Sequence, residues 1–112
     1  MSDEDRAEEL FDEVSDWFAR ELPGALGDPQ RESTVCEKAV DRYADAKRLV
    51  DPEGAFENVT HFFGADGIGF EKERTPALRR IAGLSPADGL RISELLGAIA
   101  MRRESESIDG EG

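Results

Sequence analysis

Few side chains in this sequence have the type and spacing that catalysis or metal binding requires. His61 is the only histidine and Cys36 the only cysteine. Cys36 falls on the apolar face of a predicted helix, so we expect a small buried hydrophobic residue. A nucleophilic cysteine would need a base, and His61 has no evident residue to orient it. No second His or Cys stands at zinc-ligand spacing, so we predict no catalytic residue, no metal site and no cofactor.

Four carboxylates repeat at helical spacing near the amino terminus, at Glu9, Asp12, Glu13 and Asp16. Such a stripe binds Mg²⁺ when it faces the interior of a helical bundle. The same helix carries an apolar face on its other side, so the stripe is predicted to point to water. Together with Trp17 it is a candidate surface for a protein partner. A further hypothesis makes it a DNA mimic, with carboxylates in place of phosphates.

Residues 51–58 (DPEGAFEN), followed by residues 84–88 (LSPAD) and an apolar helix, resemble the MazG-like nucleotide pyrophosphohydrolases carried by phages. The resemblance covers roughly half of the chain and implies a Mg²⁺-dependent release of diphosphate from nucleoside triphosphates. The paired acidic motifs that bind the metal in that family have no match here, and the last helix ends in Arg102-Arg103. The family is therefore not assigned, and the activity is kept as an alternative function.

A second alternative comes from residues 77–101, which resemble a helix-turn-helix unit. A short basic helix, Gly83 at the turn, and a second helix after Ser85-Pro86 make up the pattern. This hypothesis makes residues 75–103 a DNA reader. The residues that would contact DNA are Arg79, Arg80, Arg91, Ser93, Arg102 and Arg103.

Charge is unevenly distributed along the chain. Residues 70–103 carry a net charge of +3, whereas residues 1–69 carry −11 and residues 104–112 carry −4. A net +3 is small beside the roughly 6–10 phosphates that a DNA-binding protein contacts, so DNA binding stays an alternative. The same distribution predicts that the acidic and basic parts pair, within one molecule or between two.

The positions of apolar residues predict an all-α fold, a small irregular bundle of four or five helices in one domain over residues 6–104. The first helix is expected over residues 6–22, ending at Pro23-Gly24, with a loop over residues 23–33. A capping box from Thr34 to Glu37 is expected to begin the second helix, which runs to about Val50.

The middle of the chain allows two interpretations. Asp51-Pro52 favours a third helix that ends at Phe63, while the alternative is a short β-hairpin over residues 59–70. A short helix is then expected from Thr75-Pro76 and a last helix from Ser85-Pro86, or from Leu90, to about Glu104. Residues 1–5 and 105–112 are predicted to be a flexible start and a disordered acidic tail. The predicted core consists of Leu10, Phe11, Val14, Phe18, Val40, Tyr43, Phe56, Val59, Ile81, Leu95 and Ile99, with Trp17 either in it or anchoring an interface.

Composition limits the classes of partner. With 26 Asp and Glu against 14 Lys and Arg, the net charge is −12 on 112 residues, which on average repels nucleic acid and anionic membranes. The lone cysteine indicates a reducing compartment, and no secretion signal or membrane span is evident, so we predict a cytoplasmic protein. The acidity and the excess of Arg over Lys indicate a halophile, or a high-GC organism or its virus.

These observations favour a small acidic, non-enzymatic interaction or regulatory protein. The expected partner is a protein with a basic surface, attracted most strongly at low salt. The apolar helices exceed the needs of one small core, so we also expect a homodimer.

Overall fold

A computed structural model of the protein describes residues 2–64 and 77–111, with side chains up to residue 106. The regular elements of these ranges are all helical, which confirms the all-α class. Two of them are single 3₁₀ turns, Pro52–Gly54 and Ala77–Arg80. The α-helices are α1 (Asp3–Ala25), α2 (Pro29–Lys47), α3 (Val59–Phe63) and α4 (Pro86–Glu111).

Helix α1 is longer at both ends than predicted. It begins at Asp3, because the Ser2 side chain caps it by accepting a hydrogen bond from the Asp5 amide. It also continues through Pro23, although proline usually ends a helix. Leu22 and Ala25 are buried there and hold the last turn against the core. The chain turns only at Gly27, whose φ of +94° suits glycine.

The predicted loop over residues 23–33 is therefore wrong, and so is the predicted start of the second helix. Asp28 is the N-cap of α2, because its carboxylate accepts hydrogen bonds from the amides of Gln30 and Arg31. Pro29 occupies the first helical position, where its missing N–H costs nothing. Thr34 lies inside the helix and donates its hydroxyl to the Gln30 carbonyl. The capping-box pattern at Thr34 therefore marks no terminus.

The predicted third helix is divided into two parts. Asp51 caps as expected, with its carboxylate accepting from the Gly54 amide, but it starts only a 3₁₀ turn. Asn58 then adopts a left-handed conformation with φ of 64°, which interrupts the helix before α3 begins. The β-hairpin alternative is not confirmed. Its first half is helical in α3, and residues 65–70 lie outside the described residues.

Helix α4 begins as predicted, with the Ser85 hydroxyl accepting from the Asp88 amide. It then continues to Glu111, through most of the stretch that was expected to be a disordered tail. Glu106 explains part of the extension, because it lies within 3.9 Å of Arg102 and 3.5 Å of Arg103 one turn earlier. The short helix expected from Thr75-Pro76 is represented in the described residues only by the 3₁₀ turn Ala77–Arg80.

The core lies where α1 packs along α2, and where α2 and α3 pack on α4. Of the predicted core residues, six are buried: Val14, Phe18, Val40, Tyr43, Val59 and Ile99. The other five are partly exposed: Leu10, Phe11, Phe56, Ile81 and Leu95. The large, fully buried side chains that the predicted core lacks are Leu22, Cys36, Phe63, Leu78, Ile92 and Leu96.

Five aromatic rings join α3 to the α1–α2 pair. Phe62 lies between Phe11 and Tyr43, with ring centroids 5.5 and 4.9 Å away. Phe63 packs on Phe18 at 4.9 Å. Aromatic pairs at these distances stabilise a core beyond the area they bury, so this cluster fixes a helix of only five residues.

Candidate functional site

The arginines of the basic segment bind carboxylates of the acidic half within the same molecule. Arg80 reaches α1, where its Nη2 atom lies 2.6 Å from Asp16 Oδ1 and its Nη1 atom donates to Ser15 Oγ at 3.2 Å. Arg102 and Arg103 reach α2, at 2.7 Å from Glu37 and 3.1 Å from Asp41. The predicted pairing of acidic and basic parts is thus present inside one chain.

Arg91 makes the most buried of these ion pairs. Its Nη2 atom lies 2.6 Å from Glu32 Oε2, which also accepts from the Gly27 amide at 2.9 Å. Only 4 % of Glu32 is exposed. Arg91 also lies 2.6 Å from Asp88. The hydrogen bond to Glu32, and then that to Asp88, raise the pKa of Arg91, while the hydrogen bonds from Arg91 and Ser85 lower the pKa of Asp88.

These placements do not favour the DNA-reading hypothesis, which remains a prediction. Each of the four paired arginines would have to exchange a carboxylate for a phosphate. Arg91 and Ser93 also serve different surfaces, since Arg91 contacts α2 and Ser93 lines a groove described below. The first helix of the motif is a 3₁₀ turn of four residues in the described part of the chain, with Arg79 and Arg80 at its end.

The carboxylate stripe of α1 lies on the exposed surface, as predicted. Glu9, Asp12, Glu13 and Asp16 are all exposed. Glu9 is 3.6 Å from Arg6, and Asp16 is bound by Arg80. Among residues 2–64 and 77–106, no three His, Cys, Asp or Glu side chains are grouped so that they could hold a metal ion. The nucleotide-hydrolase alternative therefore gains no support from this region.

The single thiol is placed where it cannot readily react. Cys36 is fully buried, and burial, together with the nearby charges of Glu32 and Glu37, raises its pKa to about 12. The expectation of a small buried hydrophobic residue is confirmed. His61 is exposed on α3.

Trp17 packs against the core, with part of its ring still accessible. The guanidinium of Arg42 covers the ring, at 4.4 Å from the centroid. This cation–π contact joins α1 to α2. Trp17 is thereby engaged within the chain, and its role as an interface anchor stays a prediction.

An open apolar groove lies between α3 and α4 in the described part of the chain. Its volume is about 830 Å³. Two large apolar side chains project at its ends, Leu90 with 61 % and Met101 with 75 % of their surface exposed. The residues that line this α4 groove are Thr60, Pro86, Leu90, Ser93, Glu94, Gly97, Ala98 and Met101.

Gly97 forms the floor of the α4 groove and lets the two helices approach. A Cβ atom at this position would lie 3.1 Å from Thr60 Cγ2, which is closer than most such contacts. The groove is not evident from the sequence, because the strongest apolar periodicity of α4 is that of its inward face, Ile92 to Ile99. The available signal was a second apolar row on the opposite face, in which Leu90, Gly97 and Met101 recur at spacings of seven and four residues.

Comparison with protein-family models, with curated proteins and with solved structures finds no match for this chain. None of the helices in the described ranges is long and apolar enough to cross a membrane.

Proposed function

We propose that this protein is a small acidic, non-enzymatic interaction protein that binds the apolar face of a partner helix in the α4 groove. The observation that carries the proposal is the exposure of Leu90 and Met101 at the two ends of one groove. Apolar side chains exposed singly are ordinary, but Leu90 and Met101 line the same concave apolar surface. An amphipathic helix lying in such a groove is a recurring mode of recognition.

The negative charge of the groove and of the whole molecule indicates which charge the partner helix should carry. The groove contains the carboxylate of Glu94 and belongs to a molecule with a net charge of −12. A partner helix with basic residues beside its apolar face is therefore attracted, and an acidic one is repelled. A cytoplasmic location accords with this proposal, because an unpaired cysteine suits a reducing compartment.

The test uses two designed helical peptides with the same Leu- and Ala-rich face, one flanked by Lys and the other by Glu. Fluorescence anisotropy measures the affinity of the protein for each peptide. We expect the Lys peptide to bind more tightly, by a margin that shrinks as salt is added. Leu90→Gln should weaken binding of the Lys peptide about tenfold or more, because it removes one apolar anchor.

Leu49→Gln is the matched control. Leu49 is also an exposed leucine, with 36 % of its surface accessible, but it lies outside the α4 groove. Its substitution should leave the affinity unchanged. Equal losses in the two variants, or no binding of either peptide by the wild type, would contradict the proposed function.

A further inference from the structure

We infer that the α4 groove also accepts α4 of a second copy of this chain, running antiparallel, so that two molecules form a two-fold dimer. This inference rests on the proposed function, because it names a helix that the same groove binds. A basic partner helix and the second copy would occupy one surface, so they compete.

The residues that line the groove are arranged symmetrically along α4. Leu90 and Met101 lie equally far from the midpoint between residues 95 and 96, as do Ser93 and Ala98, and Glu94 and Gly97. In an antiparallel pair centred there, Leu90 of one copy meets Met101 of the other. Nearest the centre, Gly97 of one copy meets Glu94 of the other, and Ser93 meets Ala98, so each pair includes a small residue that lets the backbones approach. The surface is therefore complementary to itself, as a two-fold interface requires.

The charges of α4 favour the antiparallel direction. Glu104 lies fourteen residues after Leu90, on the same side of the helix as the groove. A parallel pair would place the two Glu104 side chains together, where they repel. The antiparallel pair places Glu104 beside the first turn of the other α4, near Ala87, where the helix dipole favours a carboxylate.

The available area indicates a weak dimer. The 16 residues from Pro86 to Met101 rise about 24 Å, and a helix is about 10–12 Å wide. The contact therefore covers about 300 Å² on each copy, well below the roughly 800 Å² per partner of a stable complex. Each copy carries a net charge of −12, so repulsion between the copies weakens the contact further. We therefore expect the dimer to form in a concentration-dependent way, to exchange readily and to strengthen as salt is added.

Glu94 limits the affinity. Near the two-fold axis it lies close to its own counterpart, so two carboxylates approach each other when the dimer forms. Replacing the carboxylate with an amide of the same shape removes this repulsion. Glu94→Gln should strengthen dimerisation about twofold, the size expected for one pair of exposed like charges.

Sedimentation equilibrium of the full chain over a concentration series tests the dimer. We expect the apparent mass to rise from one chain towards two, at lower concentrations for Glu94→Gln and not at all for Leu90→Gln. Leu49→Gln should behave as the wild type. A single-chain mass at every concentration, or equal dimerisation by Leu90→Gln, would overturn the inference.

Disulfide trapping with oxidised glutathione tests the register. Leu90→Cys and Met101→Cys proteins, mixed, should give a cross-linked heterodimer, whereas Leu90→Cys alone should give little. The native Cys36 does not interfere, because it is buried. Efficient cross-linking of Leu90→Cys to itself would overturn the antiparallel arrangement.

The dimer and the proposed function can fail separately. A protein that stays monomeric but binds the Lys peptide refutes the dimer alone. A protein that neither dimerises nor binds the peptide refutes the proposed function as well.

Discussion

Glu32 and Arg91 form an ion pair whose two members are unequally buried. The Glu32 side chain is 6 % exposed and that of Arg91 is 48 % exposed. Both carboxylate oxygens of Glu32 accept hydrogen bonds from Arg91, at 3.4 and 2.6 Å, and the Gly27 amide adds another. Burial of the carboxylate is tolerated because its hydrogen bonds are made, and no buried side-chain polar atom in the described residues lacks a partner.

The unequal burial of Glu32 and Arg91 predicts which of two substitutions lowers the free energy of unfolding more. Glu32→Gln leaves an arginine that is half exposed and still bound to Asp88, so we expect a loss of only about 1 kcal/mol in the free energy of unfolding. Arg91→Met leaves a carboxylate that is almost fully buried without its cation, and should cost more. Urea denaturation of both variants measures the two losses.

The double variant is the control for this argument. Combining Glu32→Gln with Arg91→Met removes the uncompensated charge, so it should recover much of the stability lost in Arg91→Met alone. If the losses of the two single variants simply add, the pair is not coupled and the argument from burial fails.

At the scale of elements, the contact of α3 with α4 depends on one glycine. Gly97 lies within a helix, where alanine is favoured over glycine by about 1 kcal/mol. A Cβ atom there would however press on Thr60 Cγ2 at 3.1 Å. We expect Gly97→Ala to be close to neutral, because the gain in helix propensity is offset by the crowding.

Thr60→Ser removes the Cγ2 atom that causes the crowding. In that background Gly97→Ala should become stabilising, by about 0.5–1 kcal/mol in the free energy of unfolding. Thermal or urea unfolding of the two single variants and the double variant forms a complete cycle. An equal effect of Gly97→Ala in both backgrounds would show that Thr60 does not limit the approach of the helices.

Proline signals explain both the successes and the failures of the sequence-based boundaries. Ser85-Pro86 and Asp51-Pro52 were interpreted as N-cap and first position, and both side chains cap as expected. Asp28-Pro29 carries the same signal, but it lay inside a stretch whose Gly and Pro content indicated a loop. Pro23 indicates a helix end, but the burial of Leu22 and Ala25 holds the last turn of α1 in place. That burial depends on tertiary packing, which the local sequence does not encode.

The candidate site was harder to predict than the fold. Helical periodicity locates one apolar face per helix, and on α4 the face of Ile92 and Leu96 is the one that enters the core. The opposite row is interrupted by Ser93 and Gly97, so its mean hydropathy is low. Only the position of α3 beside Gly97 makes that row one wall of a groove.

At the scale of the whole molecule, the basic segment joins the elements that are distant in sequence. Arg80 binds α1, while Arg91, Arg102 and Arg103 attach α4 along α2. In these pairs, carboxylates of the same chain bind four of the arginines that had suggested a DNA-binding surface. The excess of carboxylates, 26 against 14 basic residues, remains, and we expect it to oppose the compact fold by self-repulsion.

Salt should therefore stabilise this protein. The Debye length falls from about 30 Å in 0.01 M salt to about 3 Å in 1 M salt, and the molecule measures 38 × 33 × 23 Å. Repulsion among excess carboxylates is thus screened, whereas ion pairs at 2.6 to 3.1 Å are screened less. We expect the free energy of unfolding to rise by about 1 kcal/mol, equivalent to about 4–8 °C in Tm. Thermal unfolding in a KCl series measures this effect. KCl is preferred to a sulfate salt, because sulfate also stabilises proteins by strengthening apolar burial.

Two variants separate repulsion from attraction in the same titration. Glu8 is exposed on α1, and Glu8→Lys lowers the net negative charge, so it should raise Tm at low salt and have little effect at high salt. Arg103→Gln removes the ion pair with Asp41, so it should lower Tm, most clearly at low salt. If Tm of the wild type instead falls steadily as KCl is added, the ion pairs outweigh the repulsion. The fold would then be held together by its arginines more than it is strained by its carboxylates.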